Sequence, residues 1–275
     1  MTLEEVKKRC ELELKAVKGQ PEYVDGVSGS KDWYKRIELV KESHDNALIP
    51  KHEKTGKIID GFFYLHNGLK IHQNSYYGYS MLQLLMENEG VHEPQEEKAF
   101  HEILQHIKKD SVMLELGAYW GFYSMWFNKE INGKNILVEP DYQNMLFGKK
   151  NFSLNNMNGI FYNKFVNSYD DENTITVNKI FELENLDRIA ICHSDIQGYE
   201  FQMLLGCSNV LEKIDYFFIS THENLLHSMC VDFLQKNNFN ILCSANLDES
   251  YSYDGLIVAK NKNIEGPSEI KISKR

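Results

Sequence analysis

The amino-acid sequence predicts an α/β protein built on a mostly parallel sheet of seven strands. From Ser111 onwards, short apolar strands alternate with segments of helical length. Such alternation favours a parallel sheet with helices packed on both of its faces. A short loop, residues 245–254, lies between the last two predicted strands. A connection this short permits an antiparallel hairpin but excludes a helical crossover.

The predicted elements of this region follow from short apolar runs and from apolar residues at helical spacing. The predicted strands are Val112–Leu116, Asn135–Glu139, Gly159–Phe165, Arg188–Asp195, Tyr216–Ser220, Phe239–Cys243 and Gly255–Ala259. The predicted helices are Phe122–Glu130, Tyr142–Asn155, Tyr199–Leu205 and Leu225–Gln235. This layout predicts a doubly wound sheet that ends in a hairpin.

The N-terminal part of the chain predicts two helices followed by a β-hairpin. Apolar residues recur at helical spacing over residues 3–17 and again over Tyr34–Lys41. Pro, Gly and Ser within residues 20–32 indicate a loop between the two helices. The Asn67–Gly68 step, with β-branched and aromatic residues on either side, is typical of a hairpin turn.

Two amphipathic helices, Tyr79–Asn88 and Glu96–Ile107, follow the hairpin and lead into the sheet. We therefore divide the chain into an N-terminal extension, residues 1–89, and a main domain, residues 90–275. A packed supporting layer is the favoured role of the extension. A lid or a contact within a homo-oligomer is the alternative role.

Composition and charge exclude several classes of protein. The 275 residues are 42% hydrophobic and 25% charged, and the formal net charge of -10 disfavours binding to nucleic acid. The sequence contains neither an apolar run of membrane-spanning length nor an apolar signal segment at its start, so we expect a cytoplasmic protein without membrane insertion. Five scattered cysteines without a CxxC pair predict free, buried thiols rather than disulfides or a zinc site.

The first motif with chemical content is ELGAYWG, residues 115–121, which joins a predicted strand to a predicted helix. Nucleotide-type cofactors bind at this turn in doubly wound sheets, and Gly117 and Gly121 allow a tight turn and a close approach of the backbone. The carboxylate of Glu115 would repel a pyrophosphate. It suits a ligand with an ammonium group, such as the methionine part of S-adenosylmethionine.

The second motif is an apolar strand that ends at Glu139 and Pro140, about twenty residues after the glycines. An acid at this spacing meets the ribose hydroxyls of a cofactor bound at the first turn. A nicotinamide-dependent enzyme would prefer GxGxxG, whereas this sequence has GxxxG. The predicted cofactor-binding residues are Glu115, Gly117, Ala118, Tyr119, Gly121, Glu139, Pro140 and Asp195.

The candidate catalytic residues end the next two strands of the predicted sheet. Asp195 ends the fourth strand, and His193 leaves the same face of that strand two residues earlier. His222 follows the fifth strand and is the favoured general base, because histidine has a near-neutral pKa. His193 competes for this role, although we expect its ring to be buried behind the site. The alternative for Asp195 is a helix cap.

No metal site is predicted. His222 and His227 are one residue too far apart for the zinc motif HExxH, and side chains at this spacing point about 140° apart on a helix. The aromatic residues Tyr76, Tyr77 and Tyr79 could line an acceptor pocket, where their rings would stack on a sugar. Packing in the core or at the surface is the equal alternative.

From about Gly90 to Lys260 the sequence resembles the FkbM family of methyltransferases. The resemblance is carried by GVHEP before a helix, by ELGAYWGFYS, by LVEPDYQN and by HSDIQGYEFQMLLGC. It implies a Rossmann-like class I methyltransferase fold, S-adenosylmethionine as the cofactor, and O-methylation, commonly of sugars. The family usually has lysine, glutamate and aspartate where this chain has His193, Gln197 and Glu115. The loss of a carboxylate at Gln197 weakens any case for a metal.

The sequence therefore leads us to expect an S-adenosylmethionine-dependent O-methyltransferase. Its partner would be a small molecule or a glycan with a free hydroxyl, and a homo-oligomer is possible. Two alternatives remain at this stage. One is a nicotinamide-dependent oxidoreductase on the same fold, and the other is a nucleoside-binding module without catalysis.

Overall fold

The structure, a computed structural model, describes residues 1–17 and 31–275. Residues 20–30 of the predicted loop lie outside the described residues. Lys31 and Asp32, which we assigned to that loop, instead begin a helix.

The elements of the extension are two long helices, a short 3₁₀ helix, three short strands and a third helix. Their bounds are α1 Leu3–Val17, α2 Lys31–Glu42, the 3₁₀ helix His44–Leu48, β1 Ile58–Ile59, β2 Phe62–Tyr64, β3 Lys70–His72 and α3 Gly78–Glu87. The hairpin prediction is confirmed for β2 and β3, which pair antiparallel. The side chain of Asn67 accepts a hydrogen bond from the Leu69 amide, and Gly68 takes a positive φ of 80° in this turn.

The main domain alternates strands and helices as the sequence predicts. Its elements are α4 Pro94–Leu104, β4 Val112–Leu116, α5 Phe122–Ile131, β5 Lys134–Val138, α6 Tyr142–Leu154, β6 Ile160–Tyr162, β7 Phe165–Val166, β8 Thr174–Ile175, α7 Val177–Leu183, β9 Ile189–Ser194, α8 Glu200–Leu205, the 3₁₀ helix Leu211–Lys213, β10 Ile214–Thr221, α9 Asn224–Lys236, β11 Phe239–Ala245 and β12 Gly255–Asn261.

The central sheet has seven strands in the order β11-β12-β10-β9-β4-β5-β6. Strands β4, β5, β6, β9 and β10 run parallel, whereas β12 lies antiparallel to both β10 and β11. The predicted Rossmann-like sheet and its terminal hairpin are therefore confirmed. The chain leaves β4 towards β5 on one side and β9 lies on the other, so a crevice opens between the carboxyl ends of β4 and β9.

The predicted strand Gly159–Phe165 is wrong in its extent, because the chain turns at Asn163. The side-chain amide of Asn163 donates to the carbonyl oxygens of Glu139 and Pro140. The strand in the sheet therefore ends at Tyr162. Phe165 and Val166 instead form β7, which pairs with β8 in a separate two-stranded sheet. We did not predict this small sheet or helix α7.

The extension packs on one side of the central sheet, where the 3₁₀ helix contacts α4 and β3 contacts α6. Buried side chains of the extension, such as Val6, Trp33 and Phe63, form one hydrophobic cluster with Met113 and Phe218 of the sheet. The opposite face is covered by a second cluster that involves α7, α8 and α9. A supporting layer must share a hydrophobic core with the main domain, and the extension does so. The division of the chain at residue 90 stays a prediction.

Two further expectations concern the cysteines and membrane insertion. All five cysteines are free and buried, as predicted. Across residues 1–17 and 31–275, no helix is both long enough and apolar enough to cross a bilayer.

The close approach of two backbone segments at Gly117 yields a first prediction. A Cβ atom at Gly117, which has a φ of 73°, would lie 1.7 Å from the carbonyl oxygen of Asp195. We expect Gly117→Ala to lower the free energy of unfolding by more than about 2 kcal/mol, since backbone strain and a clash with backbone combine. Chemical denaturation measures this change.

Gly61→Ala is the matched control for this substitution. Gly61 has a similar φ of 83°, but a Cβ atom there would meet nothing within 4 Å. If both variants lost the same stability, the approach of Asp195 to Gly117 would not constrain the fold.

Candidate functional site

A cavity of about 280 Å³ opens at the carboxyl ends of β4, β5 and β9. This volume is near the lower end of small-molecule sites, which measure roughly 300–1,000 Å³. Most of the predicted site residues line this cavity, namely Glu115, Gly117, Ala118, Tyr119, Glu139, Pro140, His193 and Asp195. The predicted residues Gly121 and His222 lie outside its lining. The residues predicted from the sequence therefore form the part of the cavity lining that lies at the strand ends of the sheet.

The turn after β4 is held in place by backbone contacts. The amides of Gly117 and Ala118 both donate to the carbonyl oxygen of Val138 at the end of β5, over 2.9 and 3.0 Å. The Asp195 amide donates to the Leu116 carbonyl oxygen over 2.9 Å. These bonds bring the ends of three strands together and form the floor of the cavity.

Gly121 has a packing role at the start of α5. It caps the start of α5 with a φ of 75°, and a Cβ atom there would meet the rings and methyl groups of Phe152 and Leu137 at 2.9 and 3.3 Å. The glycine is therefore needed for packing at the helix start, and the prediction that it contacts the cofactor stays a prediction.

Glu139 ties the turn after β4 to the turn after β5. Its Oε2 atom accepts a hydrogen bond from the Tyr119 amide, and its Oε1 atom accepts one from the Asp141 amide, both over 2.9 Å. Burial raises the pKa of this carboxyl, while the backbone donors oppose the shift. Each carboxylate oxygen has a second lone pair, so Glu139 can also accept hydrogen bonds from a ligand in the cavity.

Glu115 places a second carboxylate in the cavity wall. It is buried at the end of β4, and its Oε2 atom accepts a hydrogen bond from the Ser124 amide over 3.0 Å. Burial raises the pKa of Glu115, and the nearby His193 opposes this shift. The side chain is thus suited to a ligand that brings its own positive charge.

His222 lies among three carboxylates. Its Nδ1 atom forms a 2.8 Å hydrogen bond with Oε1 of Glu200. Its Nε2 atom is 3.3 Å from Oδ1 of Asp195 and 3.2 Å from Oδ1 of Asp254. Burial alone would lower the pKa of His222, but the contacts to the carboxylates raise it to about 11.

This environment disfavours His222 as the general base, and the role of His222 stays a prediction. A histidine with a pKa of about 11 is already protonated at neutral pH, so it has no lone pair with which to accept a proton. It also lies outside the lining of the cavity. The imidazolium instead holds Asp195 in position, together with the Gln197 amide, which donates to Asp195 Oδ1 over 2.9 Å.

The alternative reading of Asp195 as a helix cap is excluded as well. Helix α8 begins after Tyr199, and the Glu200 side chain accepts a hydrogen bond from the Gly198 amide in that turn. Asp195 lines the cavity instead.

His193 lines the cavity, although we expected its ring to lie behind the site. Its Nε2 atom is 2.8 Å from Oε1 of Glu96, and its ring centroid is 4.2 Å from that of Tyr123. The Ser220 hydroxyl donates to the other oxygen of Glu96 over 3.0 Å. Burial lowers the pKa of His193, but Glu96 more than compensates and raises it to about 9.

The extension contributes an aromatic wall to the cavity. Lining a pocket was one of the two roles that we considered for the tyrosine cluster. Tyr76 stacks on Trp120 with ring centroids 4.5 Å apart and planes 9° apart. The Tyr77 amide donates to the Tyr119 hydroxyl over 3.1 Å. Tyr76 and Tyr77 both line the cavity, whereas the Tyr79 hydroxyl points to Arg9 at the outer side of α3.

Sequence reasoning missed Glu93, His92 and Tyr123, which also line the cavity. Glu93 precedes α4, and its Oε2 atom accepts a hydrogen bond from the Tyr123 hydroxyl over 3.0 Å. The Glu93-Pro94 step was a signal of a helix start. It did not reveal that the helix begins above the ends of β9 and β10.

No metal site is visible in the described part of the chain, where no group of three or more His, Cys, Asp or Glu side chains is arranged to hold an ion. Catalysis without a metal stays a prediction.

Comparison with known proteins identifies the domain that contains this cavity. Residues 106–241 match the family model described as the Methyltransferase FkbM domain. This range includes β4, β5 and β9, whose ends form the floor of the cavity, but it stops short of Glu93 and the tyrosines of the extension. No curated protein matches the chain.

Solved structures of several methyltransferases are similar to this chain at low sequence identity. An rRNA methylase from Streptococcus thermophilus has a TM-score of 0.47 and 8% identity, over 61% of this chain and 96% of that one. TrmK from M. capricolum, in complex with S-adenosyl-homocysteine, has a TM-score of 0.41 and 16% identity, over 60% and 68% of the two chains. The L11 methylase from Lactobacillus delbrueckii has a TM-score of 0.42 and 13% identity, over 63% and 81%.

The charge on His222 yields a second prediction. Its folded pKa of about 11 exceeds its ordinary value of 6.5, so its stabilising contribution is complete below about pH 6.5 and disappears as the pH rises through 11. We expect the difference in the free energy of unfolding between the wild type and His222→Asn to shrink steadily over this interval. Denaturation curves at several pH values measure it.

His106→Asn, at an exposed position, controls for the loss of a histidine in general. A gap between the wild type and His222→Asn that stayed constant from pH 7 to pH 10 would show that His222 is neutral. The general-base hypothesis would then return.

Proposed function

Since the chain is an S-adenosylmethionine-dependent methyltransferase with an FkbM methyltransferase domain, we propose that it methylates a hydroxyl group of a sugar. The sugar would belong to a glycan, a surface polysaccharide or a natural product. The aromatic wall of Tyr76 and Tyr77 beside the carboxylates of Glu93 and Asp195 is the observation that carries this proposal.

The residues of the cavity fit the cofactor by the chemistry of their donor and acceptor groups. Glu139 offers charged oxygens to the ribose hydroxyls, and the backbone amides of Tyr119 and Asp141 keep its carboxylate in place. Glu115 offers a carboxylate to the ammonium of the methionine part. The pocket is therefore divided between a nucleoside side at β5 and a methionine side at β4.

The acceptor side of the cavity lies towards the extension and α4. Flat aromatic faces such as Tyr77 pack against the apolar face of a sugar ring, while carboxylates bind its hydroxyls. The cavity therefore combines both kinds of contact that a sugar needs. The formal net charge of -10 supports a sugar over a nucleic acid as the acceptor.

The cofactor supplies an activated methyl group on a sulfonium. The protein then has to align the acceptor oxygen in line with the methyl–sulfur bond, exclude water and receive the proton of the hydroxyl. Asp195, which contacts His222 and Gln197, would orient the acceptor. The raised pKa values of His193 and His222 favour their protonated forms, which would hold neighbouring carboxylates.

The cofactor assignment yields a third prediction. Replacing Glu139 by Ala removes a charged acceptor from two ribose hydroxyls, and hydrogen bonds to charged groups are worth roughly 1.5–3 kcal/mol. We expect Glu139→Ala to bind S-adenosylhomocysteine about tenfold or more weakly than the wild type does. Isothermal titration calorimetry measures the change.

Glu182→Ala is the matched control, since this glutamate is largely exposed on α7. The Glu182→Ala variant should bind S-adenosylhomocysteine as tightly as the wild type does. NAD should give no heat. An unchanged affinity of folded Glu139→Ala would show that Glu139 does not bind the cofactor, and tight binding of NAD alone would favour an oxidoreductase.

The nature of the acceptor yields a fourth prediction. Purified protein with methyl-labelled S-adenosylmethionine should transfer label to sugars or glycan precursors with free hydroxyls, and Tyr77→Ala should weaken binding of the sugar more than binding of the cofactor. Scintillation counting and mass spectrometry locate the methyl group. Transfer of label to RNA or protein, with no sugar labelled, would overturn the proposed acceptor.

A further inference from the structure

We propose that Glu93 is the catalytic base that removes the proton from the acceptor hydroxyl. The proposal rests on the proposed function, since a hydroxyl acceptor, unlike one that is already ionised, must lose a proton as the methyl group arrives. It concerns a residue outside the matched domain, at the start of α4.

The position of Glu93 is fixed by contacts on two sides. Its backbone amide donates to Oε1 of Glu97 over 2.9 Å, which locks the first turn of α4. Its Oε2 atom accepts the Tyr123 hydroxyl over 3.0 Å and lies 3.5 Å from Nε2 of His92. Both side-chain contacts involve Oε2, and we assign Oε1 to the acceptor proton. The side chain is 7% exposed and lines the cavity.

Charged and titratable groups face Glu93 from every element around it. They come from α2, from the segment before α3, from the segment before α4, from α4, from α5 and from the segments after β9 and before β12. They are Arg36, Tyr76, His92, Glu96, Glu97, Tyr123, Asp195 and Asp254.

This environment brings the pKa of the Glu93 carboxyl close to neutral pH. Burial is the largest influence on its pKa and raises it, and the carboxylates of Glu96, Asp195 and Asp254 raise it further. His92 opposes them, and the resulting pKa is about 7. A general base works best when its pKa lies near the working pH.

Four ionisable groups in or beside the cavity are less suited to accept this proton. His193 and His222 are already protonated, as described above. The pKa of Asp195 is lowered by His222 and His193 despite its burial, so this carboxylate is a weak base, and it also contacts His222 and Gln197. Glu115 lies at the end of β4, where a backbone amide from α5 binds its carboxylate.

The reaction balances with Glu93 in this role. The acceptor oxygen forms a bond to the methyl carbon while the carbon–sulfur bond breaks, and the electron pair of that bond stays on sulfur. The hydroxyl proton passes to Oε1 of Glu93. The neutral carboxylic acid then returns its proton to solvent when the products leave.

The test compares the variants Glu93→Gln and Glu93→Asp with the wild type. Glu102→Gln is the control, because Glu102 lies on the outer side of α4. The acceptor used is the sugar or glycan precursor to which the wild type transfers labelled methyl groups. We expect Glu93→Gln to bind S-adenosylhomocysteine like the wild type and to lose about 10²–10⁴-fold in turnover. Glu93→Asp should recover part of the loss, and wild-type turnover should rise with pH to a plateau above about 7.

A second measurement needs no acceptor. Since the folded pKa of Glu93 is about 7 and its ordinary value is 4.5, its contribution to stability is complete below about pH 4.5 and is lost as the pH rises through 7. The free energy of unfolding of the wild type should therefore fall relative to that of Glu93→Gln over this interval, as measured by denaturation.

Each result decides one question. A Glu93→Gln variant that keeps turnover within a few-fold of the active wild type overturns the assignment of the base. A gap in stability that stays constant from pH 4.5 to 7 overturns it too. A wild type that binds S-adenosylhomocysteine but methylates no hydroxyl overturns the proposed function, and the role of Glu93 falls with it.

Discussion

The site depends on the close approach of two backbone segments at the crevice of the sheet. Gly117 lacks a side chain, and the carbonyl oxygen of Asp195 occupies the place that a Cβ atom would take. This contact brings the turn after β4 against the end of β9. The carboxylates of Glu115 and Glu139 therefore share one cavity with Asp195. The chemistry of the site follows from a packing constraint between main-chain atoms.

A second constraint is electrostatic, because the cavity and its surroundings contain many buried carboxylates. Isolated buried charges are costly, and protonated histidines neutralise part of them. His193 pairs with Glu96, and His222 contacts Asp195 and Glu200. The histidines thus act as fixed cations that stabilise and orient the carboxylates. For Glu93, a carboxyl of the cavity, this balance leaves a pKa of about 7.

The sequence was sufficient to predict the parts that depend on local pattern. Strand–helix alternation predicted the sheet, and the two motifs predicted that Glu115 and Glu139 lie at one site, where both line the cavity. The charge state of His222 could not be read from the sequence, because its carboxylate neighbours at Glu200 and Asp254 come from distant segments. Glu93 was missed for the same reason, since the packing of α4 over the sheet brings it to the cavity.

A crystal structure of the complex with S-adenosylhomocysteine tests the central claim most directly. The account predicts that the ribose hydroxyls bind the carboxylate of Glu139 and that the amino acid part lies towards Glu115. The sulfur would then face Asp195 and Glu93, with the aromatic wall of Tyr76 and Tyr77 open to the acceptor. A nucleoside bound away from Glu139, or a sulfur turned away from Glu93 and Asp195, would contradict it.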